Sequence, residues 1–228
     1  AVCCSRPNSQ AEVWSRRGME GGYVLPRVGT LDDPLRLAVL ISGGGSGLAA
    51  LLTHQEVAAR LHRTVLVVAD GDASGLEHGR GLGIPSKTIS LPNVSDKVEQ
   101  RLAHEALVLD ELEAAEIECV VLSGYMRILT PSFVKRWKGR LVNIHPSLLP
   151  KYPGAHAHRD ALADGAKVSG CTVHLVNEGV DSGYILAAEE VPVLDGDSEE
   201  DLQERVKKVE QILYPEVLDR LAAGAFSV

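Results

Sequence analysis

The sequence predicts an α/β fold: a Rossmann-like, mostly parallel sheet flanked by helices, with an antiparallel edge toward the C-terminus. Three observations carry this. Short uninterrupted apolar runs recur, as expected of strands buried on both faces, and they alternate with stretches of helical period. A glycine cluster follows the first run, at the strand-to-helix turn where folds of this class meet their ligands.

The first run, Leu37-Ala38-Val39-Leu40-Ile41-Ser42, ends in glycines and reads as a parallel strand. Val65-Leu66-Val67-Val68, Cys119-Val120-Val121-Leu122 and Leu141-Val142-Asn143-Ile144-His145 repeat the pattern. Helical periods lie between them near residues 48–60, 75–82 and 96–115, the last with Ser95 as N-cap, and a short one at 131–138 opens on Pro131. This alternation places a ligand cleft at the carboxyl ends of the strands. Thr172-Val173-His174-Leu175-Val176 and Tyr184-Ile185-Leu186-Ala187-Ala188 then read as two strands joined by a loop, hence the antiparallel edge. A long helix closes the chain: Ser198 and Asp201 form a capping box, and Leu202, Val206, Val209, Ile212 and Leu213 make one apolar stripe.

With 228 residues the chain suits one domain, assigned to 35–228. Residues 1–34 lack a sustained period and carry Cys3-Cys4, Arg16-Arg17 and Gly21-Gly22, which suits a poorly ordered tail or linker. Two readings of that tail stand. It is added or linker sequence ahead of a native start at Met19, or a transit peptide, which Arg16 and Arg17 favour and Glu12 and Glu20 oppose. A formal net charge of −8 offers no footprint for tRNA or DNA, so nucleic acid is not an expected partner. No window approaches the roughly 18 apolar residues of a membrane span, so no membrane is expected either. Cys3 and Cys4 are adjacent while Cys119 and Cys171 fall inside apolar runs, a pattern of free thiols in a reducing compartment rather than of disulfides or zinc.

Asn143 and His145 are two residues apart on one strand, so their side chains share a face at its end, where Pro146 denies the ladder its next donor. An amide N–H can hold a developing oxyanion, and an imidazole can move a proton near neutral pH. For His145 alone, a core imidazole satisfied by a backbone carbonyl is the competing reading. After the first strand, Ser42-Gly43-Gly44-Gly45-Ser46-Gly47 can bring backbone N–H groups and a helix dipole to a phosphate, or be a merely tight turn. Leu48 stands where a dinucleotide fingerprint needs glycine, and there is no P-loop lysine. Asp70, at the end of the second strand, is where a ribose-binding acid would sit. Asp181 lies on a small-residue loop, as a ligand-facing carboxylate or a turn former. His174 shares a strand face with Thr172 and either lines the cleft or packs. His156 and His158 would share a side if extended, without a third ligand at metal spacing. Glu199-Glu200-Asp201 suits a helix N-terminus, and Glu210 reads as a solvated surface residue.

Taken together, Ile41-Ser42-Gly43-x-Gly45-Ser46, Gly124-Tyr125-Met126-Arg127-Ile128-Leu129, Asn143-Ile144-His145-Pro146-Ser147-Leu148-Leu149-Pro150 and Val180-Asp181-Ser182-Gly183 resemble the phosphoribosylglycinamide formyltransferase family from about Leu37 onward. The resemblance implies the formyltransferase fold and transfer of a formyl group from 10-formyltetrahydrofolate, as co-substrate, to the amine of glycinamide ribonucleotide in purine synthesis. It implies no metal and no covalent intermediate. By family role, Asn143, His145 and Asp181 are catalytic: Asn143 and protonated His145 stabilise the oxyanion, while Asp181 raises the His145 pKa and organises a water. Gly45, Ser46 and Gly47 fall where the family binds the ribonucleotide phosphate, although the family usually has Asn at Gly44 and Gly47, leaving backbone contacts. Glu210 matches the residue holding the substrate amine end, and Lys207 adds charge near the phosphate. Folate binding is carried to Arg101, Met126, Arg127, Ile128, Leu129 and Asn143 and to the backbone of Asn177, Glu178, Gly179, Val180 and Asp181. The resemblance further implies a cytoplasmic monomer or homodimer acting on small molecules. Two rivals share the Asn-His-Asp set. Formyltetrahydrofolate hydrolase is disfavoured by too short a segment ahead of the sheet for a regulatory domain, and methionyl-tRNA formyltransferase by the missing basic C-terminal domain.

Overall fold

The structure, a computed structural model, describes residues 22–228. The elements are β1 (Leu35–Ile41), α1 (Ser46–Val57), β2 (His62–Ala69), α2 (Leu76–Gly81), β3 (Ser86–Thr88), α3 (Lys97–Ala114), β4 (Cys119–Leu122), α4 (Pro131–Arg136), β5 (Leu141–His145), α5 (Ala157–Ala163), β6 (Val168–Leu175), β7 (Ile185–Pro192) and α6 (Glu199–Ala222). They build a seven-stranded sheet in the order β3-β2-β1-β4-β5-β6-β7. Strands β1 to β5 run parallel, and β6 and β7 pair antiparallel, as expected of the C-terminal edge. The order reverses between β1 and β4, which opens the crevice at the carboxyl ends of the central strands.

Period-2 alternation divides β1 between two cores. Leu35, Leu37, Val39 and Ile41 pack with Leu48, Leu51 and Leu52 of α1 and Tyr214, Val217, Leu218 and Leu221 of α6. Ala38 and Leu40 face the other way, onto Val108 and Leu112 of α3 and Phe133 and Val134 of α4. With both faces covered the strand is apolar throughout, which is why it reads as a continuous run.

Local chemistry departs from the sequence reading in a few places. The α3 N-cap is Asp96, whose carboxylate accepts from the N–H groups of Val98 at 2.9 Å and Glu99 at 2.8 Å, and not Ser95. In α6 the capping box forms as expected, with Asp201 N–H donating to Ser198 Oγ at 3.1 Å and Ser198 N–H donating to Asp201 Oδ2 at 2.9 Å. Leu202 and Val206 are buried and Val209 and Leu213 half-buried, but Ile212 is 63 % exposed and leaves the stripe. His156 caps α5 and His158 lies inside it, buried, so the two are not an extended pair. Cys119 and Cys171 are buried free thiols, burial pushing each up to about 12. Cys3, Cys4 and Met19 lie outside the described residues.

Residues 22–34 contain no helix or strand but run along the domain. Val24 N–H donates to Lys138 O at 3.3 Å, Gly29 N–H donates to Ala222 O at 2.9 Å, and Arg27 is salt-bridged to Glu118 at 2.5 Å. Glu118 also accepts from the Arg36 N–H at 2.9 Å, so the same carboxylate ties this segment to the start of β1.

Candidate active site

Four segments converge at the carboxyl ends of β1, β4 and β5. The first is the turn after β1. Gly45 is the α1 N-cap, in the left-handed region at φ 65 with no side-chain cap. The first intrahelical bond is Ala49 N–H to Gly45 O, at 2.8 Å. Helix geometry therefore leaves the N–H groups of Ser46, Gly47 and Leu48 without intrahelical acceptors, at the positive end of the dipole. Gly47 is confined: a Cβ there would lie 2.5 Å from Ser123 Oγ, whereas Gly44 faces open space.

The second segment follows β4. Met126 N–H donates to Ser42 Oγ at 2.9 Å and Ser42 N–H donates to Gly124 O at 3.2 Å, which fastens this loop to the glycine turn. It forms one wall of a 280 Å³ cleft whose lining includes Arg101, Tyr125, Met126, Arg127, Ile128 and Leu129. Met126 and Ile128 are exposed apolar side chains at its mouth. The Arg127 side chain turns to Asp70, donating from Nε to Oδ2 at 2.5 Å. Asp70, read as a ribose-binding acid, is thus spent as a buried loop anchor.

The third and fourth segments bring Asn143, His145, His174 and Asp181 together. Antiparallel pairing of β5 with β6 places Asn143 opposite His174. Asn143 Nδ2 lies 3.2 Å from His174 Nε2, and His174 Nδ1 lies 3.2 Å from Leu175 O. The carbonyl only accepts, which assigns the proton to Nδ1 and leaves Nε2 to accept from Asn143. One N–H of the Asn143 amide then remains for a ligand. His145 Nε2 donates to Tyr152 O at 2.8 Å, and its Nδ1 faces Asp181 Oδ2 at 3.3 Å. Asp181 Oδ2 also accepts from Gly154 N–H at 2.8 Å, and Oδ1 lies 3.6 Å from His174 Nε2.

Charge in this cluster is set by burial first. Burial pushes His145 below the usual imidazole range, and the pull of the Tyr152 carbonyl and of Asp181 in the other direction does not outweigh it. The expected upward shift from Asp181 exists as a contribution, but the net direction is down. Burial also works against the charge on Asp181, yet His174, the Gly154 N–H and His145 together hold that carboxyl below its ordinary value. Burial thus favours the neutral imidazole and the nearby carboxylate the protonated one, with burial the larger effect.

The 176–184 loop is shaped to present Asp181. Asn177 Oδ1 accepts from Gly179 N–H at 3.1 Å and from Ser182 Oγ at 2.9 Å, and its Nδ2 donates to Ser182 O at 3.1 Å. The Asn177 side chain is consumed in folding the loop, which leaves backbone groups to face outward. Asp181 itself sits at φ 46, a conformation costly for a side chain with a Cβ. Glu210, read as a surface residue on residue type alone, is half-buried, and burial raises its carboxyl to about 7 against the opposing charge of Lys207. Residues that sequence reasoning missed are those working through the backbone. Tyr152, at φ 53, offers its carbonyl to His145, and Ser147 Oγ donates to Lys151 O at 2.5 Å to shape that turn. Among the described residues, no three His, Cys, Asp or Glu side chains form a metal-binding group.

Residues 35–218 match the formyl transferase family. The phosphoribosylglycinamide formyltransferase of Escherichia coli is 41 % identical over 192 residues, covering 83 % of this chain and 88 % of that protein. The trifunctional purine biosynthetic protein adenosine-3 of Drosophila melanogaster is 44 % identical over 192 residues, but the chain spans only 14 % of its length. Among solved structures, glycinamide ribonucleotide transformylase 1 of Symbiobacterium toebii superposes with a TM-score of 0.81 at 38 % identity, covering 86 % of this chain and 91 % of that one. This chain belongs to the formyl transferase family.

Proposed function

We propose that the chain transfers the formyl group of 10-formyltetrahydrofolate to the amine of glycinamide ribonucleotide, with Asn143, His145 and Asp181 as the catalytic set. The carrying observation is the convergence of a free amide N–H on Asn143 with the His145–Asp181 contact of 3.3 Å, beside an apolar-mouthed cleft and a helix N-terminus. The ribonucleotide phosphate sits on the N–H groups of Gly45, Ser46 and Gly47, with Lys207 adding charge. Glu210 holds the amine end. A flat pterin enters between Met126, Ile128 and Leu129 and meets the backbone of 177–181, while Arg101 offers charge at the outer end of the cleft.

Attack forms the C–N bond and moves the carbonyl electrons onto oxygen. The free Asn143 N–H takes that oxyanion. The growing negative charge raises the proton affinity of His145, which receives the proton lost by the amine at Nδ1, through a water held by Asp181. The imidazolium then stands between two acceptors, Tyr152 O and Asp181, and is fully hydrogen-bonded. Breaking the carbon–N10 bond returns a proton to N10 and releases tetrahydrofolate. That proton comes from His145, which starts neutral, is charged only while the tetrahedral intermediate lasts and ends neutral, as suits its lowered resting pKa.

The test follows folate product with and without glycinamide ribonucleotide. Product is expected only with the amine present, and His145→Ala is expected to lower kcat by roughly 10²–10⁴. Equal rates without the ribonucleotide would indicate hydrolysis and remove the transferase reading.

A further inference from the structure

Glu210 and Asn143 stand on different elements, α6 and β5, and the amine and the formyl carbon meet only if these elements keep a fixed spacing. We propose that Tyr214 is a positioning residue for formyl transfer, its hydroxyl pinning α6 to the ends of β4 and β5 and so setting the separation between Glu210 and Asn143. This rests on the roles proposed above for those two residues.

Tyr214 Oη lies 3.0 Å from Leu122 O and 2.9 Å from Val142 O, and the residue is 3 % exposed. Leu122 is the last residue of β4, from which the Met126–Leu129 loop departs, and Val142 is the neighbour of Asn143. The two strands are in register there, with Leu122 opposite Asn143. Tyr214 follows Glu210 by four residues on α6, one turn along the same face. One hydroxyl thus touches the strand that launches the folate loop, the strand that carries the amide, and the helix that carries the amine holder. Burial pushes the phenol well above its usual value, so it remains a proton donor throughout the working pH range. Its single proton serves one carbonyl at a time, and either choice fixes the helix against the sheet.

The rest of the α6 contact does not provide this. Val206, Val217, Leu218 and Leu221 pack through apolar surface, which holds the helix down without direction and leaves it free to slip. A second directional tie lies further along. Asp219 pairs with His54 of α1 at 2.7 Å, with His62 Nε2 of β2 at 2.9 Å and with Arg60 between them at 3.1 Å, but these lead to α1 and β2, not to the strand that carries Asn143. Pro215, immediately after Tyr214, cannot donate to the Gln211 carbonyl, so the helix is weakest in its own bonding where the tyrosine anchors it.

Tyr214→Phe keeps the ring and removes the hydroxyl. Assayed well below its melting temperature, the variant is expected to lose roughly tenfold in kcat, with KM for both substrates within about twofold of wild type. The loss should shrink in a Glu210→Gln background, because the two residues then act on one alignment. A variant with lowered melting temperature and unchanged kcat would make Tyr214 a fold residue only and overturn the proposal. Full additivity with Glu210→Gln would also overturn it. Should Tyr214→Phe not accumulate as folded protein, 3,5-difluorotyrosine at 214 keeps shape and hydroxyl while altering donor strength, and a changed kcat at constant KM is then required. Asn143→Ala is run beside these. Wild-type kcat in that variant would sink the site assignment itself and this inference with it, whereas an impaired Asn143→Ala beside an unimpaired Tyr214→Phe sinks the inference alone.

Discussion

Gly47 shows how one residue reconciles a motif with its surroundings. Gly44 and Gly47 belong to one motif, yet the two glycines are not equivalent. A Cβ at 47 meets Ser123 Oγ at 2.5 Å, while one at 44 meets nothing. Gly44→Asn is expected to leave the melting temperature unchanged, and Gly47→Asn to cost about 1 kcal/mol, or roughly 2–4 °C. Adding Ser123→Ala should restore the second variant. Calorimetry of the four proteins checks this, and equal melting temperatures for both single variants would refute the packing argument. Residue type alone left His145 and Asp181 with competing structural readings, and only the resemblance gave them roles; what the fold adds is their proximity, 3.3 Å from His145 Nδ1 to Asp181 Oδ2. The sign of the His145 shift was not legible, because burial outweighs Asp181 and burial exists only in the fold. Glu210 misled for the same reason, since a carboxylate among helix residues is assumed wet until packing half-covers it.

At the scale of elements, segments with a helical period or an apolar run were read, the six-residue α2 and α4 included, and two short segments with neither were missed. Strand β3 has three residues, at the sheet edge, one half-buried and two exposed, so no apolar run marks it. Helix α5 is seven residues long and enters from His156 without a side-chain cap, so neither period nor start signal is present. Helix α6 has both. Its N-terminal box satisfies two orphan donors reciprocally while three acidic residues face the positive dipole end. Ser198→Ala is expected to destabilise the protein by about 1 kcal/mol in denaturant titration and to leave kcat unchanged, since the box lies three turns from Glu210. A fall in kcat with unchanged stability would show that the helix start reaches the site directly.

Over the whole molecule, buried imidazoles decide the response to acid. His62, His145 and His158 are all held below the ordinary imidazole value of about 6.5, each chiefly by burial. For His62 the hydrogen bonds agree. Gln55 Oε1 accepts from Thr64 N–H at 3.1 Å, so its amide nitrogen donates to His62 Nδ1 at 2.8 Å and leaves no room for a second ring proton. The unfolded chain binds protons at these sites more tightly than the folded one, so stability is full above about 6.5 and falls as pH drops below it. The melting temperature should decline between about pH 7 and pH 5, less steeply in His62→Gln. A flat profile would show that these groups do not lose their burial cost on unfolding. Asp181 acts lower down: its depressed carboxyl contributes stability above the usual carboxylate value that is lost as pH falls through the depressed one.

The placement of Glu210 and Tyr214 on α6 bears also on how the molecule is made. The glycine turn, the loop after β4 and the Asn143–His145–Asp181 group all precede residue 199, but Glu210 and Tyr214, with the roles proposed for them above, belong to α6. On those roles, a chain lacking α6 would hold neither the amine nor its spacing from Asn143. The same helix brings Tyr214, Val217, Leu218 and Leu221 to the core, so these proposed roles and the packing of the sheet depend on one element.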